Sequence, residues 1–427
     1  EDVLAALDGP LPERGSPPEA VLDALAEAVE PGTLAIAGPR YFGFVTGGAL
    51  PAALAADWLV SAWDGFQCTR VSAPGAQAVE DVAARWVLEA LGLPASASVG
   101  FVTGATMANL VGLAAARHRA LAGAGWDVEE NGLIGAPPVR VLVGEEVHVS
   151  LLKALRILGL GSGRVERVEV DGNGAMRADA LAAALAADGR GPAIVCAQAG
   201  NVNTGACDPL GEIADAAHER GAWVHVDGAF GLWAAAAPAR AHLVAGRELC
   251  DSWATDAHKW LNVPYDCGIV AVADREAHVA AMSATAAYLT DLDAGDGAQF
   301  IPEMSRRGRQ VPVYAALRSL GRSGLAELVE RCCALAARAA AALDALDGAE
   351  VLNDVVLNQV LVRFGDDDAV TQGVIDGVVR SGEAWLGGTV WRGRAAARIS
   401  VSNWMTTEAD VDRLTAALAA EAHSRHR

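Results

Sequence analysis

Ala-Trp-Val-His-Val-Asp-Gly-Ala, residues 222–229, and Asp-Ser-Trp-Ala-Thr-Asp-Ala-His-Lys-Trp, residues 251–260, decide how this chain reads. The first is a short apolar run that ends on an acid and turns at once through Gly228 and Ala229. That pattern fits a buried strand delivering Asp227 to its carboxyl end, the edge at which open α/β sheets bind ligands. The second holds Lys259, which with Lys153 makes only two lysines among 33 basic residues. A chain that uses arginine wherever charge alone suffices, yet keeps a lysine in apolar company, points to amine chemistry. An amine can form a Schiff base with a carbonyl; a guanidinium cannot. The competing readings are a chance surface lysine for Lys259 and a helix cap for Asp227.

Working outward, short apolar runs alternate with helical patterns. Strands are expected at Val99–Val102, Val139–Val143, Val165–Val168, Ala193–Ala197, Trp223–Val226 and Ile269–Ala273. Helices are expected at Thr106–Leu121, His148–Leu158, Asp179–Ala187 and Gly211–Arg220. Continuous apolar strands separated by helices imply an α/β fold with a doubly wound, mainly parallel sheet. A helical segment and arm (1–60) precedes this large domain (61–310), and a smaller α+β domain (311–427) follows it. The small domain opens on a long helix from Val311 towards Leu346. It continues with strands near Leu357–Phe364 and Ala397–Val401 and helices from Val370 and Thr407. Residues 284–308, with Asp291, Asp293, Gly295, Asp296 and Gly297, read as a mobile, exposed loop.

The formal charge of −20 excludes the basic surface a nucleic-acid partner needs, and disfavours anionic membranes. No apolar run is long enough to span a bilayer, and no signal peptide opens the chain. It begins at Glu1, which is consistent with a true N-terminus lying upstream. Seven cysteines without CxxC spacing predict free thiols in a reducing, cytoplasmic setting and no zinc site.

Asp227 and Lys259 are 32 positions apart, room for one helix and one strand. An acid to keep a heteroaromatic nitrogen protonated, and an amine to hold an aldehyde, are what pyridoxal 5'-phosphate requires. Phe-Val-Thr-Gly-Ala-Thr-Met-Ala-Asn, residues 101–109, leaves a strand and enters a helix through small residues. With the hydroxyls of Thr103 and Thr106, its backbone N–H groups suit a phosphate. His148, after the next strand, could stack on a planar ring or act in acid–base catalysis, or be a structural histidine.

Together these segments resemble the group II pyridoxal-phosphate-dependent amino acid decarboxylases, of the aspartate aminotransferase fold (fold type I). The most specific pieces are His-Val-Asp-Gly-Ala (225–229) and Asp-Ala-His-Lys-Trp (256–260). The resemblance implies a Schiff-base role for Lys259, ring-nitrogen pairing for Asp227 and ring stacking for His148, with Ala229 on the opposite face. It implies a phosphate site at Gly104, Ala105 and Thr106, with His258 beside it. Arg398, in Ala-Arg-Ile-Ser-Val-Ser-Asn, matches a position that holds a substrate carboxylate, although a strand arginine in a salt bridge is an equal reading. Tyr41 and Phe42 match residues lining the substrate pocket, where plain packing is the alternative. A homodimer with shared active sites is implied, as is a small-molecule amino acid substrate.

The departures bear on the reaction. Where the aromatic amino acid decarboxylases carry a loop tyrosine that protonates the carbanion, alignment on Arg306-Arg307 places Gly297 or Ala298. Phe300 and Tyr288 are the nearest aromatics. Gly200-Asn201-Val202 replaces Gly-Thr-Thr, Met107 an acid, and Ala257 a proline. The expected activity is α-decarboxylation to an amine. Aldehyde synthesis, transamination and aldol-type cleavage are the alternatives on the same chemistry, and a cofactor-sensing or partner-binding protein is the non-enzymatic one.

Overall fold

The computed structural model describes residues 2–187, 191–284 and 295–425. Seven strands form the large sheet: β1 (Ser98–Val102), β2 (Arg140–Gly144), β3 (Glu166–Val168), β4 (Ala193–Gln198), β5 (Trp223–Asp227), β6 (Ser252–Asp256) and β7 (Gly268–Val272). Their order is β1-β7-β6-β5-β4-β2-β3. All run the same way except β7, which is antiparallel to both neighbours. β5 and β7 are buried along their whole length, as strands covered by helices on both faces must be.

Six of these strands coincide with apolar runs in the sequence, within one or two residues. β6 was not among the expected strands, and its composition explains why. Ser252, Thr255 and Asp256 are polar, yet each is nearly inaccessible to water. They are tolerated because they have partners: Ser252 accepts a hydrogen bond from Trp223 and shares one with His225 Nδ1, and Asp256 accepts one from the backbone of Ala105.

The helix Ala105–Gly123 crosses behind β5, β6 and β7 and buries residues on almost every side, so it belongs to the interior. A second, four-stranded antiparallel sheet lies towards the C-terminus: β8 (Ala349–Val351), β9 (Gln359–Phe364), β10 (Gly387–Trp391) and β11 (Arg394–Ser400), in the order β10-β11-β9-β8. The helices Asp368–Ser381 and Glu408–Arg425 accompany it. The long helix Gln310–Asp344 bends at Gly321, whose φ of 61° is left-handed. The N-terminal helices Asp2–Leu7 and Pro18–Val29 bury no residue.

The stretch 295–308 departs from the exposed loop expected there. Asp296, Gly297, Ala298, Phe300 and Ile301 are buried, and Asp296 accepts the Arg70 N–H at 2.9 Å. Arg306, buried, pairs with Glu80 at 2.5 Å, so a charge pair anchors this end of the loop inside the protein. Asp291 and Asp293 lie outside the described residues.

Asn262 joins three parts of the chain. It is fully buried in a left-handed conformation (φ 55°) and accepts from Gly48 N (2.6 Å) and Trp404 N (3.0 Å). Its amide donates to the carbonyls of Trp260 (2.8 Å) and Ser402 (3.0 Å). Beside it, a Cβ on Gly47 would fall 2.0 Å from the Lys259 carbonyl oxygen, so only glycine lets the N-terminal segment pass so close to the lysine. Asn262→Ala removes four hydrogen bonds and forces alanine into the left-handed region, at a cost of roughly 3–5 kcal/mol. Denaturant unfolding should show that loss, with Asn262→Asp, which keeps the acceptor, falling between; an unchanged midpoint for the alanine variant would refute the clamp.

Candidate active site

Chain direction puts the carboxyl ends of β2, β5 and β6 at one sheet edge. β5 delivers Asp227, β6 delivers Asp256 with Lys259 three residues on, and the turn after β2 carries His148. Lys259 Nζ lies 3.2 Å from Asp256 Oδ2 and keeps 19% of its side-chain surface exposed, while the Asp256 side chain keeps 4%. Asp227 is buried, and its Oδ1 accepts the Ala229 N–H at 3.3 Å. Burial pushes its pKa up; the charges of His148 and Lys259 and the Asn109 amide pull it back.

His148 caps the helix Val149–Ile157. Its Nδ1 accepts the Ser150 N–H at 3.3 Å and lies 2.7 Å from the Ser150 hydroxyl, which fixes the ring. Burial, aided by Lys259 and Arg398, lowers its pKa against the opposing pull of Asp227 and Asp256. His148 is therefore neutral near pH 7, suited to lying over an aromatic ring. That it feels Asp227, Lys259 and Arg398 together shows these four side chains converging from 250 residues of sequence.

Arg398, on β11, donates to the Val202 carbonyl at 3.0 Å, and burial lowers its pKa. Among the described residues no carboxylate pairs with it, so the salt-bridge alternative finds no partner there. Gly200-Asn201-Val202 thus supplies the seat for this guanidinium. Asn201 stiffens the turn, with its Oδ1 accepting Asn203 N (2.8 Å) and its Nδ2 donating to Glu146 (2.9 Å). An open cleft of about 840 Å³, lined in part by Glu146, His148, Val202, Asn203 and Trp391, leads to this edge.

The turn from β1 into the helix Ala105–Gly123 passes through Thr103 and Gly104. The Ala105 N–H donates to Asp256 Oδ1 at 2.6 Å, so the helix start already holds an anionic oxygen. His258 Nδ1 accepts the Cys267 N–H at 3.1 Å, which leaves the proton on Nε2, 3.5 Å from Asp256 Oδ1. A Cβ on Gly104 would lie 3.3 Å from His258 Cε1, so the turn passes close against that ring. A helix N-terminus, an imidazole N–H and the half-buried Thr106 suit a phosphate group.

Tyr41 stacks on Trp385 (ring centroids 4.6 Å apart), and burial followed by the nearby Tyr265 raises its pKa. Phe42 is 1% exposed and packs in the main core. Gly297 and Ala298 are buried at the loop base, and Tyr288 lies outside the described residues. Four residues near the site carried no role in the sequence reading: Asp256, Asn109, His225 and Tyr265. Tyr265 stacks on His258 (4.2 Å) and is half exposed. The signal for Asn109 and His225 was present, as polar residues inside otherwise apolar elements. All seven cysteines are free thiols.

The chain as a whole is similar in sequence and in fold to known proteins. The pyridoxal-dependent decarboxylase conserved domain matches residues 1–364. L-2,4-Diaminobutyrate decarboxylase of Rhizobium meliloti is 30% identical over 426 residues, 96% of this chain and 83% of that protein. 4-Hydroxyphenylacetaldehyde synthase of Rhodiola rosea is 27% identical over 432 residues, covering 96% and 86%. The crystal structure of Oryza sativa TDC with PLP and tryptamine superimposes with a TM-score of 0.93 at 25% identity, over all of this chain and 92% of the other. The family match over residues 1–364 and the 30% identity over 96% of the chain show that it belongs to the pyridoxal-dependent decarboxylase family.

Proposed function

We propose that the chain removes the α-carboxyl group of an amino acid as CO2 and releases the amine, with Lys259 as the attachment point for pyridoxal phosphate. The observation that carries this reading is the meeting of Lys259, Asp227, His148 and Arg398 at one sheet edge. The cofactor supplies an electron sink for the pair left at Cα when CO2 departs. Lys259 would hold the cofactor through its aldehyde. Asp227 keeps a proton on the ring nitrogen. His148 covers one ring face and Ala229 the other. Gly104, Ala105, Thr106 and His258 receive the phosphate, with Asp256 leaving the Ala105 N–H to it. Arg398 offers a planar fork to the substrate carboxylate, and Tyr41 lines the substrate side with Phe42 supporting it from the core.

The same reading divides the chain into an arm (1–60), a cofactor domain (61–310) and a small domain (311–427). Exposed apolar side chains gather on the N-terminal helices and on the helix Pro51–Trp63, among them Leu22, Leu25, Trp58 and Trp63. So large an apolar face supports a homodimer. No described helix is long and apolar enough to cross a membrane, and free thiols favour the cytoplasm.

A second reading, decarboxylation followed by oxidation to an aldehyde, is favoured by Gly297 and Ala298, which offer no proton donor where a loop tyrosine is expected. Slow protonation at Cα would let oxygen intercept the carbanion, giving aldehyde, ammonia and peroxide. CO2, amine and peroxide should be measured across an amino acid panel, with and without oxygen. CO2 with mostly amine and a minor oxygen-dependent peroxide yield is expected. Amine without peroxide retires the side reaction, and keto acid without CO2 overturns decarboxylation.

Borohydride reduction and peptide mapping should place the pyridoxyl group on Lys259, and Lys259→Ala should lower turnover by about 10³-fold or more. An adduct on Lys153 would sink the assignment. Arg398→Gln should weaken substrate binding by about 10- to 100-fold while leaving the cofactor spectrum intact, because a charge-assisted pair is lost from the substrate side only. An unchanged KM would return Arg398 to a structural role.

A further inference from the structure

We propose that Trp223, Ser252 and His225 form a one-way relay of hydrogen bonds that fixes the Asn109 amide with its nitrogen directed at Asp227, which makes His225 and Asn109 positioning residues for the group that faces the cofactor ring nitrogen. The inference rests on the role proposed above for Asp227. Trp223, His225 and Asp227 alternate along β5 and so share one face. Ser252 is the β6 partner of His225, and Asn109 comes from the helix Ala105–Gly123 packed behind the strands. Ser252, His225 and Asn109 are inaccessible to water, and Trp223 nearly so.

Donor and acceptor chemistry sets the direction. Trp223 Nε1–H can only donate, and it lies 2.9 Å from Ser252 Oγ. The serine hydrogen is therefore left for His225 Nδ1, 2.8 Å away. An accepting Nδ1 puts the imidazole proton on Nε2, which is 2.8 Å from Asn109 Oδ1. With its oxygen so engaged, Asn109 has only its NH2 left to offer; that nitrogen is buried without a hydrogen-bond partner of its own, and the amide favours the ionised form of Asp227. Burial holds the pKa of His225 down at about 3, so the ring is neutral and has one proton to place.

The opposite direction would turn the Asn109 carbonyl towards Asp227, oxygen against oxygen, which is acceptable only if Asp227 is protonated. Relay direction and the charge on Asp227 are thus linked. Gly112 is a second sign that the His225 position is selected. A Cβ there would lie 2.7 Å from His225 Cε1 and 2.8 Å from Nδ1, so the helix accepts a glycine in its interior to seat this ring.

Nitrogen-15 NMR of the full chain without cofactor reads the tautomer directly. A neutral His225 protonated at Nε2 near pH 7 is expected; an Nδ1–H tautomer or an imidazolium would overturn the relay. Cofactor affinity supplies the second measurement, by equilibrium dialysis with pyridoxal phosphate on variants whose circular dichroism is native. Asn109→Ala and Ser252→Ala should raise the dissociation constant about tenfold and shift the absorption spectrum of the loaded protein, with Ser252→Thr restoring both. If Asp227→Asn weakens binding but Asn109→Ala does not, the relay fails while the role of Asp227 stands. If Asp227→Asn leaves affinity unchanged, it is the role of Asp227 that fails.

Discussion

A carboxylate at the end of a central strand and almost out of water is costly to keep ionised, and much of this structure is arranged around Asp227. Burial works against its charge; Lys259, the Ala229 N–H and the Asn109 amide work for it. None of these comes from a neighbouring stretch of chain except Ala229. Lys259 arrives through β6, Asn109 through the helix behind the sheet, and His148 through the turn after β2. The sheet order, with β5 flanked by β4 and β6, brings these segments together at one edge. A fold that failed to close around this acid would leave a buried charge without a partner.

The scarcity of lysine follows the same logic. Guanidinium groups serve the structural ion pairs, such as Arg306 with Glu80 and Arg140 with Glu166, where a planar, permanently charged fork is the better partner. Lys259 differs because its amine must be able to lose a proton. Its contact with Asp256 gives the ammonium a partner, and the same carboxylate occupies the helix start at Ala105. One acid therefore serves both ends of the site.

Most of the sheet was legible in the sequence because its strands are buried on both faces and read as plain apolar runs. β6 was not, because polar groups that hydrogen-bond inside the protein look like surface residues in a sequence. The same ambiguity hid Asn109 and His225. The segment 295–301 misled for the opposite reason: acidic and glycine residues signal exposure, yet Asp296 is stabilised by the backbone of Arg70. The antiparallel strands β8 and β10 were missed because they are short or half-exposed, with burial alternating weakly along them. Residue types marked Asp227, His148, Lys259 and Arg398 as candidates; only the three-dimensional arrangement shows that all four share one electrostatic environment.

The small domain matters to the chemistry through its attachment. Arg398 acts on the site only because β11 lies against the 200–202 turn, where Val202 receives its guanidinium. That placement depends on a few polar contacts between the domains: Trp391 and Arg392 on Glu146, Asn353 on the Thr204 carbonyl, and Asn262 on Ser402 and Trp404. Glu146 stands two residues from His148, and Asn262 three from Lys259. The contacts around Arg398 are thus continuous with the loops that carry His148 and Lys259. A shift of the small domain would therefore be felt at both faces of the site together, rather than at the substrate side alone.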